Sequence, residues 1–86
     1  MTRRELSQLA VTIASQVRDK PFDYWTIQDY PVTWEQTQGG ALVQMEVDRL
    51  ESADDFIHLT IALDDGRFPS VFIPVATDVI LQRTKS

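Results

Sequence analysis

Apolar and polar residues alternate with a period of two through most of residues 39–75, and this pattern constrains the fold more than any other feature of the chain. Successive side chains of a β-strand point to opposite faces, so the alternation predicts strands with one buried and one solvated face. Short polar stretches at residues 51–55 and 64–66 interrupt the pattern. We therefore expect consecutive antiparallel strands joined by short turns.

The pattern predicts four strands, over residues 32–37, 41–50, 57–63 and 67–75. Gly39 and Gly40 supply the positive φ angles that a tight hairpin between the first two strands needs. The alternation slips after Arg49, which indicates a bulge or the end of the second strand. The third strand has the cleanest alternation and is expected inside the sheet. Pro69 and Pro74 cannot donate to a ladder, so the fourth strand is expected at an edge.

A helix is predicted ahead of the strands. Thr2 and Glu5 have the spacing of a capping box, in which each side chain accepts a hydrogen bond from the other residue's backbone amide. Apolar residues then follow at steps of three and four, which is the stripe of a helix with one buried face: Leu6, Leu9, Ala10, Ile13 and Val17. Pro21 ends the helix at or before Lys20.

Together these patterns predict a single α+β domain over residues 1–86. Its N-terminal helix packs on one face of a four-stranded antiparallel meander sheet, as two-layer packing requires. A short C-terminal element around residues 79–81 is expected, and the sequence suits a helix or a strand equally well there.

Composition limits what can support such a domain. The chain of 86 residues has no cysteine, so neither disulfides nor thiolate metal ligands can support its small core. Polar residues interrupt the apolar stretch after Arg3 and Arg4, so we expect no signal peptide, and no stretch has the length of a membrane span. A cytoplasmic location is expected.

Charge is distributed unevenly along the chain. Residues 1–20 carry a net charge of +2, whereas residues 21–75 carry ten acidic residues against Arg49 and Arg67. Nucleic-acid binding and attachment to anionic membranes both depend on clusters of basic residues. The acidic sheet region therefore argues against both, and a protein partner or a second copy of the chain is the expected binding partner.

Side chains that carry chemistry are few and scattered. His58 is the only histidine, and no Ser or Cys nucleophile can be assigned to it from spacing. Two aspartate pairs, at residues 54–55 and 64–65, flank a strand of about eight residues and so lie about 27 Å apart. They cannot share one cation, and neither has the spacing of a calcium loop. We expect no catalytic residues, no metal site and no cofactor.

The strongest candidate for a binding surface is the aromatic segment, residues 22–34, which contains every Trp and Tyr of the chain. Such rings bury a large area and keep a polar group at hand, as residues at protein interfaces do. The candidate surface consists of Asp23, Tyr24, Trp25, Asp29 and Tyr30. The alternative is that these rings fill a small core that lacks volume.

Within the aromatic segment the alternation is imperfect, so an irregular or short extended conformation is predicted before the first strand. Trp25 is expected to be exposed, whereas Trp34, in phase with the first strand, is expected in the core. Phe56, Phe68 and Phe72 fall on the polar face of the predicted sheet, where they can form a second apolar patch.

These features predict a non-enzymatic module that binds a protein partner or associates with itself, as a transient binder or as a permanent subunit. The alternative is a small-ligand binder or a simple enzyme. It would use a cleft between the helix and the aromatic segment, with polar groups from Asp23, Tyr24, Asp29 and Tyr30.

Overall fold

The computed structural model describes residues 2–66 and 75–83, and Gln38 by its backbone alone. Its elements, in chain order, are α1 Arg3–Asp19, α2 Phe22–Thr26, β1 Val32–Gln38, β2 Ala41–Ser52, β3 Phe56–Asp64 and β4 Val75–Gln82. Each strand pairs antiparallel with the next, in the order β1-β2-β3-β4. The prediction of a helix followed by a four-stranded antiparallel sheet is confirmed for these residues.

The first helix begins at the predicted capping box. The Thr2 hydroxyl accepts from the Glu5 amide at 3.1 Å, and the Glu5 carboxylate accepts from the Thr2 amide at 3.0 Å. The pKa of Glu5 lies below its ordinary value. The hydrogen bond from the Thr2 backbone amide is the larger cause, and a hydrogen bond from the Thr2 side chain is the smaller one. α1 ends at Asp19, and Lys20 serves as its C-cap immediately before Pro21.

Turn residues set the register of the sheet. Gly39 and Gly40 have φ angles of 57° and 81°, and they join β1 to β2 so that Gln38 pairs with Ala41. The predicted irregularity in β2 is present, since its register with β3 shifts between Arg49 and Glu51. β3 is an interior strand, and its even alternation of buried and half-buried residues matches the sequence pattern.

The core joins helix to sheet. Buried residues of α1 and of β2, β3 and β4 form one apolar cluster: Leu6, Leu9, Ala10, Ile13, Ala14, Val17, Val43, Met45, Val47, Ile57, Leu59, Ile61, Leu63, Val75 and Val79. α1 packs mainly on β4 and β3. No helix within the described residues is both long enough and apolar enough to cross a membrane.

A second helix stands where the sequence predicted irregular or extended chain. α2 is only five residues long, and Pro21 is its N-cap in an extended conformation, with its carbonyl oxygen accepting from the Tyr24 amide at 3.0 Å. Asp23 lies in its first turn, where a negative charge favours the amino end of a helix. Local alternation could not predict this turn because a contact with α1 holds it in place.

That contact is made by Trp25, and it shows that the prediction of an exposed Trp25 is wrong. Trp25 is only 5% exposed, and its indole Nε1 donates to the carbonyl oxygen of Val17 at 2.8 Å. Trp34, expected in the core, is half-buried and packs against the edge of the cluster. The indole of Trp25 can be buried in the core because its N–H is satisfied by a carbonyl at the end of α1.

The last predicted elements have a different outcome. The strand expected at residues 67–75 lies, apart from Val75, outside the described residues, as do Phe68 and Phe72. Residues 79–81, expected in a separate C-terminal helix or strand, belong to β4 itself. Because β4 begins at Val75 rather than ending there, a separate C-terminal element is not confirmed.

We expect Trp25→Phe to lower the free energy of unfolding by about 1–2 kcal/mol, because it removes the indole donor and part of a buried ring. Trp34→Phe is the matched control and should cost less, since Trp34 is only half-buried. Urea denaturation followed by circular dichroism measures both. Equal losses in the two variants would contradict the anchoring role of Trp25.

Candidate interaction site

A groove lies between α1 and β1, here called the α1–β1 groove. Its wider part, about 750 Å³, is lined by polar residues of the helix, by β1 and by the hairpin turn. Gln8, Thr12 and Gln16 line it from α1 at intervals of four residues, and Gln36 faces them from β1. Such spacing places the three helix residues on one flank of α1.

Toward the C-terminal end of α1 the α1–β1 groove continues into a smaller apolar cleft of about 240 Å³. Ile13 and Val17 line it from the helix, while Val32 and Trp34 line it from β1. Tyr24 closes this end, and the Nζ of Lys20 lies 5.2 Å from the centre of its ring. The groove thus passes from a polar channel at the hairpin to an apolar end beside the aromatic segment.

Three aromatic residues of the candidate surface are adjacent in the structure. The rings of Tyr24 and Trp25 lie edge to face, with their centres 4.8 Å apart. The Tyr30 hydroxyl donates to the backbone oxygen of Trp25, and the guanidinium of Arg49 lies 5.4 Å from the centre of the Tyr30 ring. Of the three, Tyr24 alone is exposed, since Trp25 is buried and Tyr30 is half-buried.

The two aspartates of the candidate surface are both exposed. Asp23 turns to Arg83, whose Nη1 lies 3.2 Å from its carboxylate oxygen. Asp23 lines neither part of the α1–β1 groove, and neither do Asp29 and Tyr30. A cleft lies between the helix and the aromatic segment, and of the four polar residues that the alternative function assigned to such a cleft only Tyr24 lines it.

Sequence reasoning missed two residues near this surface. Ile27 follows α2 and is 77% exposed, three residues after Tyr24. Once a helical turn is recognised there, that spacing places both side chains on one face. The Nε of Arg83 donates to the backbone carbonyl oxygen of Asp54 at 2.9 Å, and the guanidinium lies 4.6 Å from the centre of the Phe22 ring. No local pattern points to Arg83, because its partners are distant in the sequence.

The other predicted sites are not brought together into a chemical centre. The Nε2 of His58 lies 3.3 Å from a carboxylate oxygen of Asp78, within ion-pair distance. The orientation of the two groups does not meet hydrogen-bond geometry, so Nε2 lacks a hydrogen-bond partner among the described residues. Within those same residues, no three His, Cys, Asp or Glu side chains are placed to hold a metal ion.

Searches of known proteins give no relative from which a function could be transferred. No protein-family model, no curated protein and no solved structure matches the chain. The site must therefore be judged by its own geometry.

Burial raises the pKa of Tyr30 above its ordinary value; the charge of Arg49 opposes this shift and Tyr24 adds to it. The folded state therefore favours the neutral phenol. The stability that the neutral Tyr30 contributes should be fully present below about pH 10, the pKa of tyrosine in the unfolded chain. It should be lost as the pH rises through the higher pKa of Tyr30 in the folded state.

Ultraviolet titration of phenolate formation tests this expectation. The difference between wild type and Tyr30→Phe isolates Tyr30, because the variant retains Tyr24 alone. The difference curve should have its midpoint above that of an unperturbed tyrosine. A midpoint at the ordinary value would contradict the burial of Tyr30.

Proposed function

We propose that this chain is a non-enzymatic protein-interaction module that binds a partner at the apolar end of the α1–β1 groove. The observation that carries the proposal is the position of Tyr24, an exposed ring at the end of an apolar cleft. A ring beside a preformed cleft is a typical anchor of a protein interface.

Neighbouring residues support the same surface. Ile27 adds an exposed apolar side chain, and Lys20 adds a positive charge against the Tyr24 ring. Trp25 and Tyr30 support the surface from below, since the Trp25 bond ties α2 to the end of α1 and the Tyr30 bond ties the chain that follows α2 to Trp25. Asp23 and Asp29 form an acidic border, with Asp23 held by Arg83.

In the proposed arrangement of the domain, the helix layer and the sheet layer have different roles. α1 covers the apolar face of the sheet and leaves the side of β1 beside it open to a partner. The absence of basic clusters in the sheet region argues against nucleic acid and anionic membranes as that partner. A cytoplasmic protein, or a second copy of the chain, fits the surface better.

Affinity co-purification from the native cell, with the tagged chain as bait, tests the proposed function. We expect a stoichiometric partner, and we expect Tyr24→Ala and Ile27→Ala each to weaken its retention about tenfold, as the loss of an interface anchor does. Ile80→Ala is the matched control. Ile80 is as apolar as Ile27 and is 59% exposed, but it lies on β4, at the edge of the sheet opposite β1.

All three variants should keep the melting temperature of the wild type. Recovery of the bait alone, with the bait monomeric in solution, would count against the interaction module. Equal losses in all three variants would move the contact away from Tyr24.

The cleft beside Tyr24 also supports a second candidate, a small-ligand binder or simple enzyme. Its volume of about 240 Å³ lies just below the usual range of small-molecule sites, and its walls are largely apolar. A thermal-shift screen against metabolites should then give a compound that raises the melting temperature of wild type but not of Trp34→Ala. A flat response across a broad library would argue against this candidate.

A further inference from the structure

β1 forms an edge of the sheet. Among the described residues it pairs with β2 on one side and with no strand on the other. The hairpin turn determines which backbone groups face the open side. A two-residue turn with two positive φ angles, as at Gly39 and Gly40, is flanked by a pair that exchanges both of its hydrogen bonds.

From that flanking pair, Gln38 with Ala41, hydrogen-bonded pairs alternate along the ladder. The intervening residues, Thr33, Glu35 and Thr37, therefore direct their N–H and C=O groups to the open edge. All three residues are exposed. β1 thus presents three donors and three acceptors at the spacing of an unpaired ladder, without an internal proline to interrupt it.

The two edges of the sheet differ in what lies above them. At β4, the inward residues Val75 and Val79 are buried in the core, while Thr77 and Leu81 are half-buried. At β1, the inward residues Val32 and Trp34 are half-buried and line the α1–β1 groove. A strand added at β1 could therefore pair with the N–H and C=O groups at the open edge, and its inward side chains would have space beside α1.

From these features we infer that the partner binds as an extended segment that pairs antiparallel with β1 and lies in the α1–β1 groove. This inference rests on the proposed function and names the kind of partner. Addition of a strand to an exposed edge takes its affinity from main-chain hydrogen bonds and its specificity from alternate side chains.

The side chains around β1 define the chemistry of that segment. Its residue opposite Trp34 points to the apolar cleft and is aliphatic, while the residue opposite Gln36 faces the amide-lined channel and is polar. Its residue opposite Glu35 lies on the outer face of the sheet. There the register continues from Glu35 through Gln44 to Asp64, a row with two carboxylates.

A lysine or arginine opposite Glu35 is therefore the complementary residue. The charge of the chain favours the same choice, since its net charge is −5 and its sheet region is the acidic part. A second copy would bring another acidic sheet to this edge, so the partner is a basic extended segment of a different protein.

The probe is a capped hexapeptide, Thr-Thr-Lys-Val-Thr-Val, which places lysine opposite Glu35 and valine opposite Trp34 in antiparallel pairing. Titration into the ¹⁵N-labelled protein should shift the amide signals of Thr33, Glu35 and Thr37 and slow their hydrogen exchange. The same peptide with glutamate in place of lysine should bind about three- to tenfold more weakly, as expected for cross-strand charges of equal sign.

Two further comparisons separate strand addition from nonspecific attraction. Glu35→Lys should reverse the preference between the lysine and glutamate peptides without changing the melting temperature. N-methylation of the peptide lysine removes an N–H that faces β1 and should abolish binding. N-methylation of the valine that follows it is the matched control, because that N–H points away from β1.

Shifts confined to β4 or to the exposed face of α1, or equal effects of the two N-methyl groups, would overturn the inference. So would a free protein that is dimeric with the amides of Thr33, Glu35 and Thr37 already protected. A native partner that is retained by Glu35→Lys as well as by wild type, yet lost by Tyr24→Ala, would overturn strand addition while leaving the proposed function intact.

Discussion

The hydrogen bond between the Trp25 indole and the carbonyl of Val17 is the contact on which the aromatic end of the domain depends. It closes the end of α1, holds α2 against the helix and fills the corner where the chain turns toward the sheet. The Tyr30 hydroxyl then donates to the backbone of Trp25, so the connector between α2 and β1 is held by the same residue. Both bonds join segments that no regular element would otherwise connect.

The packing of α1 explains why one side of the sheet is open. With its C-terminal end held at Trp25, α1 packs most closely on β4 and β3. β1 lies at the opposite edge, where its inward residues remain half-buried beside the helix. A single helix has too narrow an apolar face to cover four strands equally, because strands lie about 4.8 Å apart and a helix is only about 10 Å wide. The groove is a consequence of that mismatch.

Much of the fold follows from local patterns. The capping box at Thr2, the glycine pair at residues 39–40 and the alternation in β3 each predict a structure within a few residues of themselves, and each prediction is confirmed. The slip after Arg49 likewise corresponds to a shift of register. In these places the geometry depends on neighbours along the chain, so the sequence is sufficient.

The candidate site could be predicted only in outline. The aromatic segment marks its neighbourhood, but the burial of Trp25 depends on an acceptor in α1, and Ile27 becomes significant only once α2 is a helix. The α1–β1 groove depends on the packing of a helix against a distant strand. Period and composition carry no information about such distances, which is why Trp25 was expected to be exposed although it is buried.

Arg83 has a consequence for how the chain selects among alternative pairings of β4. A shift of β4 by one residue would expose its apolar face, but a shift by two would keep Val75 and Val79 inward, so burial alone discriminates poorly against it. Such a shift moves Arg83 about 7 Å along the strand. Arg83 would then lose its hydrogen bonds to Asp54 and Asp55 and its contact with the Phe22 ring at the same time. A partly exposed arginine thus distinguishes two registers that the hydrophobic core cannot tell apart.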